Sequence, residues 1–195
     1  MRRLVLASTS PMRRQLLATA GLAVEAVAPG VDEASAVAND PVGLVRELAH
    51  RKAVAVAQRH PDAWVIGADQ VVFDPALQEP WGKPPDPATH RDRLMAMRGA
   101  EHHLVTGLAV VGPGMDAVEH QLTRLVVRAD VTDEEIAAYV ATGEGAWCAG
   151  GYAAEAQGSF LFERIDGDWS NVMGLPLFRL YDLLRRHGWR FGATA

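Results

Sequence analysis

Short apolar runs alternate with helical stripes along this chain, and the boundaries between them carry clear capping signals. Leu4–Ala7 is an apolar run that predicts a strand, followed by the hydroxyl-rich turn Ser8-Thr9-Ser10 and by Pro11. Ser10 suits a helix N-cap, and Pro11 suits the first helical position because its missing N–H would be unpaired there anyway. In the predicted helix Met12, Leu16, Leu17 and Ala20 form one apolar stripe. Arg13 falls within that stripe and Arg14 well outside it.

Leu22–Ala28 reads as a second strand, and Asp40-Pro41 opens a long helix running to about His60. Trp64–Ala68 is a near-continuous apolar run, the pattern of a strand covered on both faces. It ends at Asp69-Gln70, before Val71–Phe73. The proline-rich stretch Pro75–Asp86 reads as a loop, and His90–Met97 as a helix. Leu104–Val111 and Glu119–Val127 predict a hairpin across Gly112-Pro113-Gly114. Thr132 and Glu135 make a capping box for a helix through Tyr139. A glycine-rich loop over 143–159, a strand over Phe160–Ile165 and a helix from Pro176 to about His187 complete the chain. Interleaved helices and strands, some joined by crossovers and some by hairpins, predict an α/β fold with a mixed sheet.

Composition narrows the picture. The 195 residues are 49% hydrophobic and 22% charged, which suits one globular domain spanning 1–195. A net charge of −5 argues against a nucleic-acid binder. The single cysteine, Cys148, rules out an internal disulfide and fits a reducing cytoplasm. The apolar run after Arg2 and Arg3 is too short for a signal peptide, and no segment approaches membrane-spanning length, so no membrane partner is expected.

Charge placement supplies the candidate chemistry. Arg13 and Arg14 lie in a first helical turn, where the helix dipole disfavours cations. Two readings fit: a bound anion such as phosphate, or two solvated arginines. Lys52 lies near the centre of the stripe Val45, Leu48, Ala49 and Val56. A buried ammonium needs a partner, so either a ligand anion or a structural salt bridge is expected there. Asp69 is placed at the C-terminal end of a strand, where open α/β sheets bind ligands, and its carboxylate suits Mg²⁺ or a base for water. Asp32-Glu33 offers further hard oxygens or a solvated turn. Lys83, in Gly82-Lys83-Pro84, is a phosphate ligand or a surface lysine.

Several chemistries have no motif here. The chain carries neither a P-loop nor a Gly-x-Gly-x-x-Gly fingerprint, and no Gly-x-Ser-x-Gly elbow. His102 and His103 are adjacent and point apart on a strand, a poor metal pair, and Cys148 lacks zinc-ligand spacing.

The ordered motifs resemble the Maf family over almost the whole chain. They include Leu-Ala-Ser-Thr-Ser-Pro-x-Arg-Arg-x-Leu-Leu from Leu6, Val-Asp-Glu at 31–33, Lys52-Ala53, Gly-Ala-Asp-Gln-Val at 67–71 and Gly-Lys-Pro at 82–84. Thr106-Gly107, Gly143-Glu144, Ala-Gly-Gly-Tyr at 149–152 and Gly-Leu-Pro at 174–176 continue them in order. The resemblance implies a two-lobed domain with a cleft, its mixed twisted sheet flanked by helices as in inosine triphosphatase. It implies a cytoplasmic nucleoside triphosphate pyrophosphatase, a homodimer using Mg²⁺ or Mn²⁺ to split the α–β bond. Ser8, Arg13, Lys52 and Lys83 are then the phosphate ligands, with Lys52 also in the catalytic set. Asp69 is the catalytic carboxylate, and Glu33 a metal or water ligand beside it.

Within that family, Cys148-Ala-Gly-Gly-Tyr-Ala-Ala-Glu155 together with Gln70 resembles the branch acting on 7-methyl-GTP. Glu155 suits that base, since a carboxylate accepts from guanine N–H groups and favours a cationic ring. Met12 stands where the branches carry tryptophan or arginine, and packs a thioether rather than a π-face on the base. Met12, Gln70 and Glu155 are therefore the implied specificity residues. The alternatives are a Maf pyrophosphatase for dTTP and UTP or of broad range, and a nucleotide-binding regulator of cell division that does not depend on turnover.

Overall fold

In the computed structural model, residues 2–36, 38, 40–74 and 79–192 are described. Seven strands form one sheet: β1 (Leu4–Ala7), β2 (Val24–Ala26), β3 (Trp64–Asp74), β4 (Glu79–Trp81), β5 (Glu101–Gly112), β6 (Met115–Val127) and β7 (Phe162–Asp166). The order is β2-β1-β3-β5-β6-β7, with β4 also paired to β3. β2, β1 and β3 run parallel, and every pairing beyond β3 is antiparallel. The mixed α/β sheet expected from the sequence is present.

The helices are α1 (Pro11–Thr19), α2 (Pro41–Ala57), α3 (Pro87–Ala96), α4 (Asp133–Ala141), α5 (Trp169–Val172) and α6 (Leu177–Arg186). Side chains close their exposed N–H groups. Ser10 accepts from Arg13 N–H and Asp40 from Gly43 N–H, while Thr132 and Glu135 form the expected reciprocal capping box. Each such cap contributes about 1 kcal/mol.

Packing follows the alternation of strand side chains. Ile66 and Ala68 join Leu16 and Leu17 of α1 and Leu180, Leu183 and Leu184 of α6 on one face. Val65 joins Ala49, Ala53 and Val56 of α2 on the other. Farther along the same strands, Val72, Leu104 and Leu125 pack with Leu94 of α3 and Ile136 and Tyr139 of α4. The sheet therefore carries separate apolar clusters at its two ends. Among the described residues no helix is long and apolar enough to cross a membrane.

Several boundaries differ from the sequence reading. β3 does not end at Ala68; it runs through Asp69-Gln70 to Asp74, because β5 pairs with it from Val65 to Phe73. Asp69 is thus mid-strand rather than at a strand end. Within Pro75–Asp86, residues 75–78 lie outside the described residues, and Glu79–Trp81 form β4 rather than loop. α3 begins at Pro87 because Asp86 accepts from Thr89 N–H, three residues before the expected start at His90. β2 is limited to the three residues that pair with β1, and β7 starts at Phe162 after a 3-10 turn over Gln157–Leu161.

Candidate active site

The edge of β3 facing β1 is interrupted. β1 pairs with Trp64–Gly67 and β4 with Val72–Asp74, so residues 68–71 have no strand neighbour on that side among the described residues. The backbone groups exposed by such a gap need other partners. Arg13 supplies one: its Nη1 donates to the Ala68 carbonyl at 2.6 Å and its Nε to the Gly174 carbonyl at 2.7 Å. Burial pushes the guanidinium pKa down, opposed by the charges of Asp69 and Glu33. Arg14, one residue on, is exposed.

Asp69 points to the α2 side of the sheet, two residues along from Gly67. A Cβ on Gly67 would lie 2.2 Å from the Ala49 carbonyl, and one on Gly107 would lie 2.0 Å from the Val45 carbonyl. Only glycine lets α2 settle this closely on the strands. That approach carries Lys52 to Asp69. Its Nζ donates to Asp69 Oδ1 at 2.6 Å and lies 2.8 Å from Glu33 Oε1. Lys52 is 6% exposed and Asp69 8%, so this pair is largely desolvated. The partner of the buried ammonium is therefore the two candidate catalytic carboxylates.

Two carboxylates face two cations, Lys52 and Arg13, so the local charge is nearly balanced without a ligand. Asp69 Oδ2 and Glu33 Oε2 make no hydrogen bond among the described residues, which leaves one hard oxygen on each. Among the described residues no three His, Cys, Asp or Glu side chains form a metal cage. Two converging carboxylates suit Mg²⁺, which takes one or two protein carboxylates and completes its shell with water and substrate phosphate. The donor set fits a divalent cation.

Ser8 is buried in the turn that follows β1, and its hydroxyl accepts from Ser10 N–H at 3.1 Å. Met12 is half-buried in the first turn of α1. Lys83 and Glu155 both act on the charge environment of Cys148. Burial raises the thiol pKa there, and Glu155 and Glu144 raise it further, while Lys83 lowers it. Lys83 follows β4, and Glu155 follows the 3-10 turn at Ala149–Gly151. Gln70 turns to the sheet face opposite Asp69, and its amide nitrogen donates to the Asn171 carbonyl at 2.6 Å and to Thr106 Oγ1 at 2.8 Å.

The structure thus brings Arg13, Lys52, Asp69 and Glu33 together, while Lys83 and Glu155 lie on other segments of the chain. Sequence reasoning missed Gly174, which holds Arg13, and the spacing roles of Gly67 and Gly107. Glycines inside apolar strand patterns were the available signal.

Arg13 at a helix start, the Lys52 bridge between two carboxylates and the interrupted edge of β3 together form one candidate site on an α/β sheet. The family described as Maf-like protein matches residues 3–187, and the chain belongs to that family. A Geobacillus sp. (strain WCH70) protein named dTTP/UTP pyrophosphatase is 40% identical over 191 residues, covering 97% of this chain and 100% of its own. A Synechococcus elongatus protein named nucleoside triphosphate pyrophosphatase is 44% identical over 185 residues, covering 93% and 92%. Among solved structures, that of the Staphylococcus aureus Ham1 protein covers 66% of this chain and 73% of its own, with a TM-score of 0.47 at 18% identity.

Proposed function

We propose that this chain hydrolyses nucleoside triphosphates at the α–β bond, releasing a monophosphate and pyrophosphate, with dTTP and UTP as its substrates. The observation that carries the reaction type is Lys52 Nζ held between Asp69 and Glu33 beside the Arg13 guanidinium. The names of the relatives support the substrate, and they favour dTTP and UTP over the 7-methyl-GTP expected from Gln70 and Cys148–Glu155.

In this reading Asp69 takes a proton from the attacking water at Oδ2, the oxygen that Lys52 leaves unbonded. The water oxygen bonds to phosphorus, the bridging P–O bond breaks, and its electron pair leaves with pyrophosphate. Lys52 holds Asp69 in orientation through Oδ1, and Arg13 offers Nη2 to the phosphates while Nε and Nη1 hold it in place. Ser8 and Lys83 add phosphate contacts from the β1–α1 turn and from beyond β4. Glu33 and Asp69 would hold Mg²⁺ or Mn²⁺, whose charge offsets that of the triphosphate.

Pyrophosphate release across a panel of dTTP, UTP, 7-methyl-GTP and the common triphosphates, with and without Mg²⁺, tests this. Fastest metal-dependent release from dTTP and UTP is expected. A preference for 7-methyl-GTP overturns the substrate, and binding without release overturns the activity in favour of a regulator.

A further inference from the structure

We infer that Gln70 is a positioning residue for Arg13, acting through the turn from Asn171 to Gly174. The Asn171 carbonyl only accepts hydrogen bonds, so the atom of Gln70 that meets it at 2.6 Å is the amide nitrogen. The same nitrogen donates to Thr106 Oγ1 at 2.8 Å, and Thr106 and Asn171 are fully buried. Both amide hydrogens are thereby engaged inside the protein, on the face of the sheet away from Asp69.

What Gln70 holds leads directly to Arg13. The Asn171 carbonyl also accepts from Gly174 N–H at 2.9 Å, which closes the turn. Gly174 sits at φ +91, a left-handed backbone suited to glycine, and a Cβ there would lie 3.5 Å from Arg13 Nε. Its carbonyl accepts from Arg13 Nε at 2.7 Å. Arg13 Nη1 is fixed on the Ala68 carbonyl, two residues before Gln70 on the same strand face. The guanidinium therefore has one anchor on β3 and one on a turn that Gln70 ties back to β3. With Nε and Nη1 so fixed, Nη2 is the end left for an anion.

This rests on the pyrophosphatase reading for its kinetic arm only. Gln70→Leu removes the donor at similar volume, and Gln70→Glu keeps the shape but turns a carboxylate on the Asn171 carbonyl. In both, exchange of the Arg13 Nε–H with solvent, followed by NMR, should accelerate about tenfold or more as its hydrogen bond opens. In turnover, kcat should fall roughly 10–100-fold with little change in KM, and the ratio between dTTP, UTP and 7-methyl-GTP should hold. In an Arg13→Ala background the same substitutions should cost little more. Unchanged Nε–H exchange in both folded variants overturns the inference, as does a shift in nucleotide preference with additive effects. If wild-type protein releases no pyrophosphate, the activity reading fails while the exchange result still decides the role of Gln70.

Discussion

Asp69 and Gly107 are register partners across β3 and β5, and the bare backbone of one serves the carboxylate of the other. Because Gly107 has no side chain, the Val45 carbonyl of α2 approaches within 2.0 Å of where its Cβ would stand. Gly107→Ala or Gly67→Ala should therefore lift α2 and draw Lys52 away from Asp69. We expect a loss of about 2–3 kcal/mol in stability, in the range of core overpacking, together with lower kcat. Denaturant unfolding and turnover of the same samples check both effects.

Asp69→Asn keeps the shape of the site but removes the proton acceptor. Pyrophosphate release should fall by a factor of about 10²–10⁴, as for a lost general base, with unfolding unaltered in cooperativity. Lys52→Met should act differently, because it strands the buried Asp69 carboxylate beside a second anion, Glu33. A stability loss of about 3 kcal/mol is expected on top of lost activity. Near wild-type turnover of Asp69→Asn would remove it from the role of base.

The two neighbouring arginines should separate cleanly. Arg13→Ala removes both links to the Ala68 and Gly174 carbonyls, whereas Arg14 is exposed. Triphosphate turnover should collapse in the first and stay within about twofold in the second, as surface substitutions usually do. Equal losses would argue for a general basic patch instead of a held guanidinium.

His102 sets an acid limit on stability. It is buried with Nε2 against the Tyr152 hydroxyl at 2.6 Å and no partner on Nδ1, and burial pushes its pKa down from 6.5 to about 4. Between those values the unfolded chain binds a proton that the folded chain does not, so stability falls as pH drops through that window. The loss approaches about 3 kcal/mol near pH 4. His102→Gln retains a polar contact without titrating there. Its unfolding free energy, followed from pH 7 to 4, should fall with a slope up to one proton shallower than wild type.

Glu155 offers a test of base selectivity separate from the Lys52–Asp69 pair, since it follows the 3-10 turn at Ala149–Gly151. If it contacts the base, Glu155→Ala should alter the ratio of 7-methyl-GTP to dTTP turnover while sparing the common reaction. Matching losses on every nucleotide in a kcat/KM comparison would exclude that contact.

Much of this arrangement was legible in the chain. Ser10-Pro11, Asp40-Pro41 and Thr132 with Glu135 marked helix starts through local hydrogen bonding, and the stripe on α2 put Lys52 in the interior. Asp69-Gln70 misled because two polar residues break an apolar run; pairing with β5, remote in sequence, continues the strand through them. The same distance hid Gly174, which meets Arg13 across most of the chain's length. The resemblance implies Gln70 in base selection, and the partners of its amide nitrogen, Thr106 and Asn171, are remote in sequence. Local capping reads well from sequence because it needs only three or four residues; cross-chain carbonyl contacts do not.

Three long strands, β3, β5 and β6, pass without a break from the apolar clusters beside α1, α2 and α6 to the one beside α3 and α4. Neither end can swing on a flexible joint while those hydrogen bonds persist. Any closing over a bound nucleotide would have to twist this shared sheet instead of hinging between its ends. The enzyme would then grip its substrate as a wrung cloth does rather than as a jaw.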